Sequence, residues 1–168
     1  MAARFLTVPA LSAIVIACTA CGTEAPKDGG TWDTTISGKP FRLTVASSDA
    51  SRQKGLGGVK DIPADGGMVF VFPDAQLRAF WMIDCLVDMD IVYLDPLGYV
   101  TAVRTMKKES PRHEGEPQAD YEARLPRYSS VSPAQYVIEL RAGRAAELGI
   151  KAQQKIAIDA QALKAALR

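Results

Sequence analysis

The chain of 168 residues has no asparagine and a single histidine, His113. A metal site built from several imidazoles lacks its parts, and so do most charge-relay triads. There is no G-x-S-x-G elbow, and His113 falls in the polar stretch Arg112 to Glu116, which reads as a solvated loop. Basic clusters are missing as well: 20 Lys+Arg face 19 Asp+Glu, for a formal charge of +1. This removes the electrostatic footprint of a nucleic-acid binder, so no nucleic-acid partner is expected. Gly55-Leu56-Gly57-Gly58 is glycine-rich but lacks the Lys-Ser/Thr of a phosphate loop and is read as a turn; no cofactor is expected. What is present, 48% hydrophobic and 23% charged residues, fits one globular domain and excludes a disordered chain.

No apolar run is long enough to cross a bilayer, which takes roughly 20 residues in a helix. The run from Phe5 to Ala17, behind Arg4, has instead the length of a secretory h-region of about 7–15 residues. It ends in Val15-Ile16-Ala17-Cys18, which resembles a bacterial lipobox. Residues 1–17 are read as a lipoprotein signal peptide, with Cys18 as the acylated N-terminus and the membrane as a partner through that lipid. Plain cleavage after Ala20 with soluble export is the alternative, and Cys21 is a poorer lipobox cysteine than Cys18. The expected location is the outer face of the cytoplasmic membrane, or the periplasmic face of the outer membrane where the host has two. Residues 18–35, with Pro26, Gly29 and Gly30, read as a flexible tether and 36–168 as a single folded unit. In an exported chain Cys21 and Cys85 could pair, but Cys85 lies in an apolar segment and reads first as a buried thiol.

Within the folded unit, Phe41, Leu43 and Val45 alternate with Arg42 and Thr44, the signature of a half-buried strand. Asp49 to Lys54 reads as a short helix stopped by Gly55, and Gly67 to Phe72 as an interior strand ended by Pro73-Asp74. From Trp81 to Tyr93 every odd position is apolar, which predicts a long, bent strand with Asp84, Asp88 and Asp90 on its other face. Asp95-Pro96-Leu97-Gly98 predicts the turn of a hairpin joining residues 91–94 to 99–105. Lys107 to Tyr128 reads as a long loop, Gln135 to Leu140 as an interior strand, Lys155 to Ile158 as a last strand and Ala160 to Arg168 as a terminal helix with a packing face. The pattern predicts a mainly β protein, a β-sandwich with one or two short helices.

Four stretches acquire further meaning together: Arg52-Gln53-Lys54-Gly55-Leu56; Gly67 to Phe72; Phe80-Trp81-Met82 through Leu86 to Asp90-Ile91; and Ser129-Ser130 with Pro133 to Leu140 and Ala142-Gly143. In order and spacing they resemble the domain-of-unknown-function family 192 of bacteria and archaea, over roughly Phe41 to Ile158. The resemblance implies a compact jelly-roll-like domain, often exported, with no established activity. The chain departs from the family pattern at Gly57 and Val59, at Ile83-Asp84-Cys85 in place of Lys-Asn-Thr, at Asp88-Met89 in place of Pro-Leu, and at Ala152-Gln153-Gln154, where a Gly-Asp turn is usual. A positive, hydrogen-bonding patch would thereby have become acidic.

Arg52, Trp81, Asp84, Asp90, Tyr136 and Glu139 are the candidate ligand-binding residues, since aromatic faces with a few polar groups make small-ligand sites. The expected function is a lipid-anchored envelope module that binds a small polar ligand or an envelope protein. Two alternatives stay open. Asp84, Asp90 and Glu139 could supply the carboxyl pair of a glycan hydrolase, or the domain could serve structure or assembly alone. An Asp84, Asp88 and Asp90 cation site lacks the glycine and terminal glutamate of a calcium loop and is not adopted; each acid has a structural role as an alternative.

Overall fold

A computed structural model describes residues 25–167. Strands β1 (Thr31–Ile36) and β2 (Lys39–Ala46) form an antiparallel hairpin. The expected alternation holds in β2: Phe41, Leu43 and Val45 are buried while Arg42 stays in solvent. The folded unit starts earlier than Ile36, however, and the segment read as a tether is partly built into it. Trp32 and Ile36 point into the core, and the Asp28 carboxylate accepts hydrogen bonds from the backbone N–H groups of Ser47 and Ser48 at 2.7 and 3.1 Å and from the Ser51 hydroxyl at 2.6 Å. Thr, Asp and Gly around Trp32 hid this strand, because its pairing supplies the order that its composition does not.

Helix α1 (Asp49–Lys54) is capped by Ser48 and terminated by Gly55 at φ +51°. Strand β3 (Met68–Gln76) lies parallel to β2 on one side and antiparallel to β8 (Ala134–Arg141) on the other, and its apolar character on both faces follows from core packing on each, Val69 and Val71 on one and Met68 and Phe70 on the other. It continues beyond Pro73, with a register shift between Val71 and Gln76 where proline cannot serve the ladder. β5 (Met89–Leu94) and β6 (Val100–Met106) form the expected hairpin, its turn held by the Asp95 carboxylate, which accepts from the N–H groups of Leu97 and Tyr99 at 2.8 and 2.9 Å. The six-stranded sheet runs β1-β2-β3-β8-β5-β6, and β4 (Ala79–Phe80) with β7 (Tyr128–Ser129) makes a second, two-stranded sheet. Together with the short helices α2 (Gln118–Arg124), α3 (Arg144–Glu147) and α4 (Ala160–Ala165), this is the mainly β class that the sequence predicts.

Both faces of the large sheet are covered. Leu43, Val69, Val92, Ile138 and Leu140 pack under Ala145 of α3, Ile150, Ile156 and Leu163 of α4. On the other face Phe70, Ile91, Tyr93 and Val137 pack under Leu56, Ile62, Met82 and Phe80.

Three expectations are corrected. The alternation from Trp81 does not make one strand: residues 81–88 are a turn-rich connection, with buried Met82 breaking the odd-position pattern and Asp84 at φ +52°. Loop packing follows tertiary neighbours rather than a period of two. The stretch 107–128 contains α2, seated by the buried Tyr121 and Leu125 one helical turn apart. Lys155 to Ile158 forms an isolated bridge, Lys155 to Tyr99, rather than a strand.

Gly67 shows how tightly the sheet interior is closed. Its φ is +142°, and a Cβ there would sit 2.1 Å from the carbonyl oxygen of Glu139. Gly67→Ala is expected to cost roughly 2–4 kcal/mol, against about 1 kcal/mol for Gly149→Ala, which shares the positive φ but has open space around it. Equal losses in urea denaturation would remove close approach as the reason for Gly67.

Candidate functional site

On β8 the side chains of Tyr136, Ile138 and Leu140 face the α3 and α4 side, whereas Val137 and Glu139 face Phe70. A carboxyl thus occupies a position deep in the sheet, opposite Met68 of β3 and Ile91 of β5. Glu139 is 4% exposed, and its Oε2 is fully buried without a hydrogen-bond partner among the described residues. It ends at the floor of a cavity of about 370 Å³ between α1, β3 and the connection after β4.

The walls follow from the same elements. α1 brings Arg52 and Lys54 to the mouth, and its terminating Gly55 lies against the floor: a Cβ there would be 3.4 Å from Phe70 Cζ and 3.9 Å from Glu139 Oε2. Phe80 stands edge-on to Phe70 and Tyr93, with ring centroids 5.0 and 5.8 Å away. Phe72 lies between two guanidinium groups, Arg78 at 3.9 Å and Arg52 at 5.2 Å from its ring centre. Both cations are engaged elsewhere: Arg52 donates to the carbonyls of Ser47 and Val71 and to Asp49, and Arg78 donates to Asp74 and to the Ala134 carbonyl. Cys85, a free thiol among the described residues, completes the wall, and burial, with Glu139 and Asp84 nearby, pushes it up to about 12. Cys21 lies outside the described residues, as does Cys18.

Of the residues singled out in the sequence, Arg52, Trp81 and Glu139 come together in this cavity. The Trp81 ring is covered on one side by the Arg127 guanidinium at 3.4 Å. Asp84 lies in a neighbouring depression and is held through its backbone: its N–H donates to the Tyr121 hydroxyl at 3.1 Å, and its carbonyl accepts from Gly58 at 3.0 Å. Its left-handed φ suits Asp or Asn, so backbone shape alone accounts for either residue at this position. Arg52 pairs with Asp49 rather than with Asp84.

Asp90 and Tyr136 lie on the opposite face and do not line the cavity. Asp90 accepts from the Thr105 hydroxyl and from the N–H of Ala145, both at 2.8 Å, so it ties β6 and α3 to β5. Tyr136 is fully buried in the core of that face. Asp88 meets Lys107 Nζ and the N–H of Lys108, both at 2.8 Å, and shares no face with the other two acids. Sequence reasoning missed Phe70, Phe72 and Arg78. The two phenylalanines carried a usable signal, since they share parity within β3; Arg78 carried none.

The sequence matches the family model of DUF192, described as an uncharacterized ACR, over residues 32–158. The chain belongs to the DUF192 family. Two solved structures are similar to this DUF192 domain. One is a protein of unknown function from Novosphingobium aromaticivorans DSM 12444, 25% identical with a TM-score of 0.59, covering 76% of this chain and 82% of that one. The other is a candidate transcription regulator from Sinorhizobium meliloti 1021, 21% identical with a TM-score of 0.57, covering 74% and 88% respectively. No curated protein matches the sequence.

Burial alone pushes the Glu139 carboxyl from an ordinary 4.5 up to about 8. The folded state therefore holds a proton that the unfolded chain has released, so this group's contribution to stability falls as pH rises from about 4.5 to 8. Asp28 acts in the opposite sense: the Ser51 hydroxyl first, then the bonds from Ser47 and Ser48, hold its pKa down, and its support is lost in acid. Glu139→Gln is expected to flatten the neutral limb of the stability profile, a relative gain on the order of 4 kcal/mol at pH 8 compared with pH 4.5. Parallel urea midpoints for the two proteins across that range would contradict the buried acid.

Proposed function

We propose that this DUF192 protein is a lipid-anchored module of the cell envelope that binds a small ligand in the Glu139 cavity. One observation carries the binding part: at the floor of an aromatic-walled cavity of about 370 Å³, the Glu139 carboxyl leaves its buried Oε2 without a hydrogen-bond partner among the described residues. A buried polar group without a partner is destabilising, and a bound ligand can supply what the fold does not. Concavity favours a small molecule over a flat protein interface. Glycan hydrolysis by paired carboxyls finds less support, because Glu139 is the one acid lining the cavity among the described residues and Asp90 is turned away from it.

Anchoring rests on the lipobox-like Val15-Ile16-Ala17-Cys18. The lipid on Cys18 would hold the domain at the outer face of the cytoplasmic membrane, or at the periplasmic face of the outer membrane in a host with two.

A thermal-shift screen of small molecules on the full chain, followed by NMR mapping, tests the binding reading. Hits are expected to perturb Phe70, Phe80 and the Glu139 region. Perturbations confined to other surfaces, or a diverse library without a single hit, would count against it. For the anchor, Cys18→Ser is expected to abolish fatty-acid labelling and release the protein from the membrane fraction. Labelling that persists in that variant would refute acylation at Cys18.

A further inference from the structure

We infer that the cavity recognises an uncharged ligand through an amide-type edge, one donor beside one acceptor, laid against the Glu139 carboxyl, with an apolar body held by Phe70, Phe80 and Leu56. This rests on the cavity being a ligand site and adds the chemistry of what fills it.

The argument begins with the missing partners. Among the described residues the Glu139 side chain takes part in no hydrogen bond or ion pair, whereas Asp90, the other buried acid of the sheet, has two donors. An isolated carboxylate charge in such surroundings is so costly that the acid form prevails, and burial raises its affinity for the proton accordingly. A neutral carboxyl presents an O–H donor and a carbonyl acceptor side by side. Its complement is a second donor–acceptor edge, such as a primary carboxamide or a lactam, which closes two hydrogen bonds without bringing a charge into the cavity.

Charged ligands fit less well. An ammonium group would pass Arg52, Lys54 and Arg78 at the mouth and would have to displace the Glu139 proton. A carboxylate would meet those cations on entry, but at the floor it would find phenylalanine walls and no cation. The guanidinium groups that could follow it inward are committed to Asp49, Asp74 and backbone carbonyls. The desolvation cost decides against both.

The remaining titratable groups near Glu139 do not confuse a pH test. Cys85 on the connection and Tyr93 on β5 are both raised, by burial first and by Glu139 next, the thiol to about 12, so both stay neutral through the range in which Glu139 ionises. Arg52 and Lys54 on α1 and Arg78 before β4 are the basic side chains that line the cavity, and Asp84 lies beyond Cys85 in a neighbouring depression.

Benzamide, benzoate and benzamidine share a shape and differ in charge, which makes them suitable probes for protein-observed NMR titration of the full chain. At about pH 6.5 benzamide is expected to bind about tenfold more tightly than either charged isostere, the worth of one well-made polar contact. At about pH 9.5 the O–H is gone and benzamide binding should weaken several-fold. Glu139→Gln keeps a donor–acceptor edge, so it should retain benzamide affinity within about threefold and lose the pH dependence. Glu139→Leu should lose benzamide binding while its amide spectrum stays folded. Tighter binding of benzamidine or benzoate would overturn the neutral-edge proposal yet leave the cavity a ligand site. Benzamide binding indifferent to Glu139→Leu, or absent at millimolar concentration while the library screen yields cavity hits, would overturn the proposal alone. Failure of both the probes and the library would remove the ligand-site reading itself.

Discussion

Strand β8 is hydrogen-bonded on both edges, to β3 and to β5, and packed on both faces. Every residue from Ala134 to Leu140 is buried as a result. A strand so placed cannot turn a side chain toward water by rotating or slipping, because a one-residue slip would exchange its two faces and expose a different set. Gly67 reinforces the register, with its backbone closed against the Glu139 carbonyl so tightly that a methyl group has no room. The position of the Glu139 carboxyl is therefore imposed by the sheet. Its neighbours in register, Met68 and Ile91, provide nothing for it to bond.

The contrast with Asp90 gives that constraint its meaning. Both acids are buried in the same sheet, and they sit on adjacent strands. Asp90 receives a hydroxyl from β6 and a backbone N–H from the start of α3, the use an acid finds when its purpose is to join elements. Glu139 joins nothing. Its proton affinity reflects burial with no compensating bond, a cost that folding bears and that a bound partner would offset.

How much of this was legible in the sequence depended on whether local pattern or distant packing set each element. The β2 alternation, the apolar run of β3, the helix stopped by Gly55 and the turn at 95–98 were readable because side-chain period and turn chemistry act locally. The 81–88 connection was misread because its shape comes from contacts with residues remote in sequence, Gly58 and Tyr121, which hold Asp84 in a left-handed conformation. β1 was invisible for the converse reason: few of its residues are apolar, and its order comes from β2. Parity could have sorted the candidates on β8. Tyr136 and Glu139 are three residues apart on one strand, so they cannot share a face, and the cavity could hold only one of them.

The same helix that walls the cavity also fixes where the N-terminal segment leaves the domain. Asp28 caps the start of α1 through Ser48 and Ser51, and Lys54 and Gly55 at its other end line the cavity. The Asp28 carboxylate is held ionised by those bonds, so the attachment persists at neutral pH. Only nine residues lie between Cys18 and Asp28, ten backbone steps that span at most roughly 35 Å when extended. An acylated Cys18 would thus keep α1, and with it the cavity mouth, within a few tens of ångströms of the bilayer surface. A long free tether would let an anchored domain sample the whole depth of the envelope; with Asp28 docked on α1, an anchor at Cys18 would leave it a shorter reach. For an acylated ligand-binding module, the consequence would be a site that meets molecules leaving or approaching the membrane more often than those in bulk solution, because effective concentration follows the length of the connecting chain.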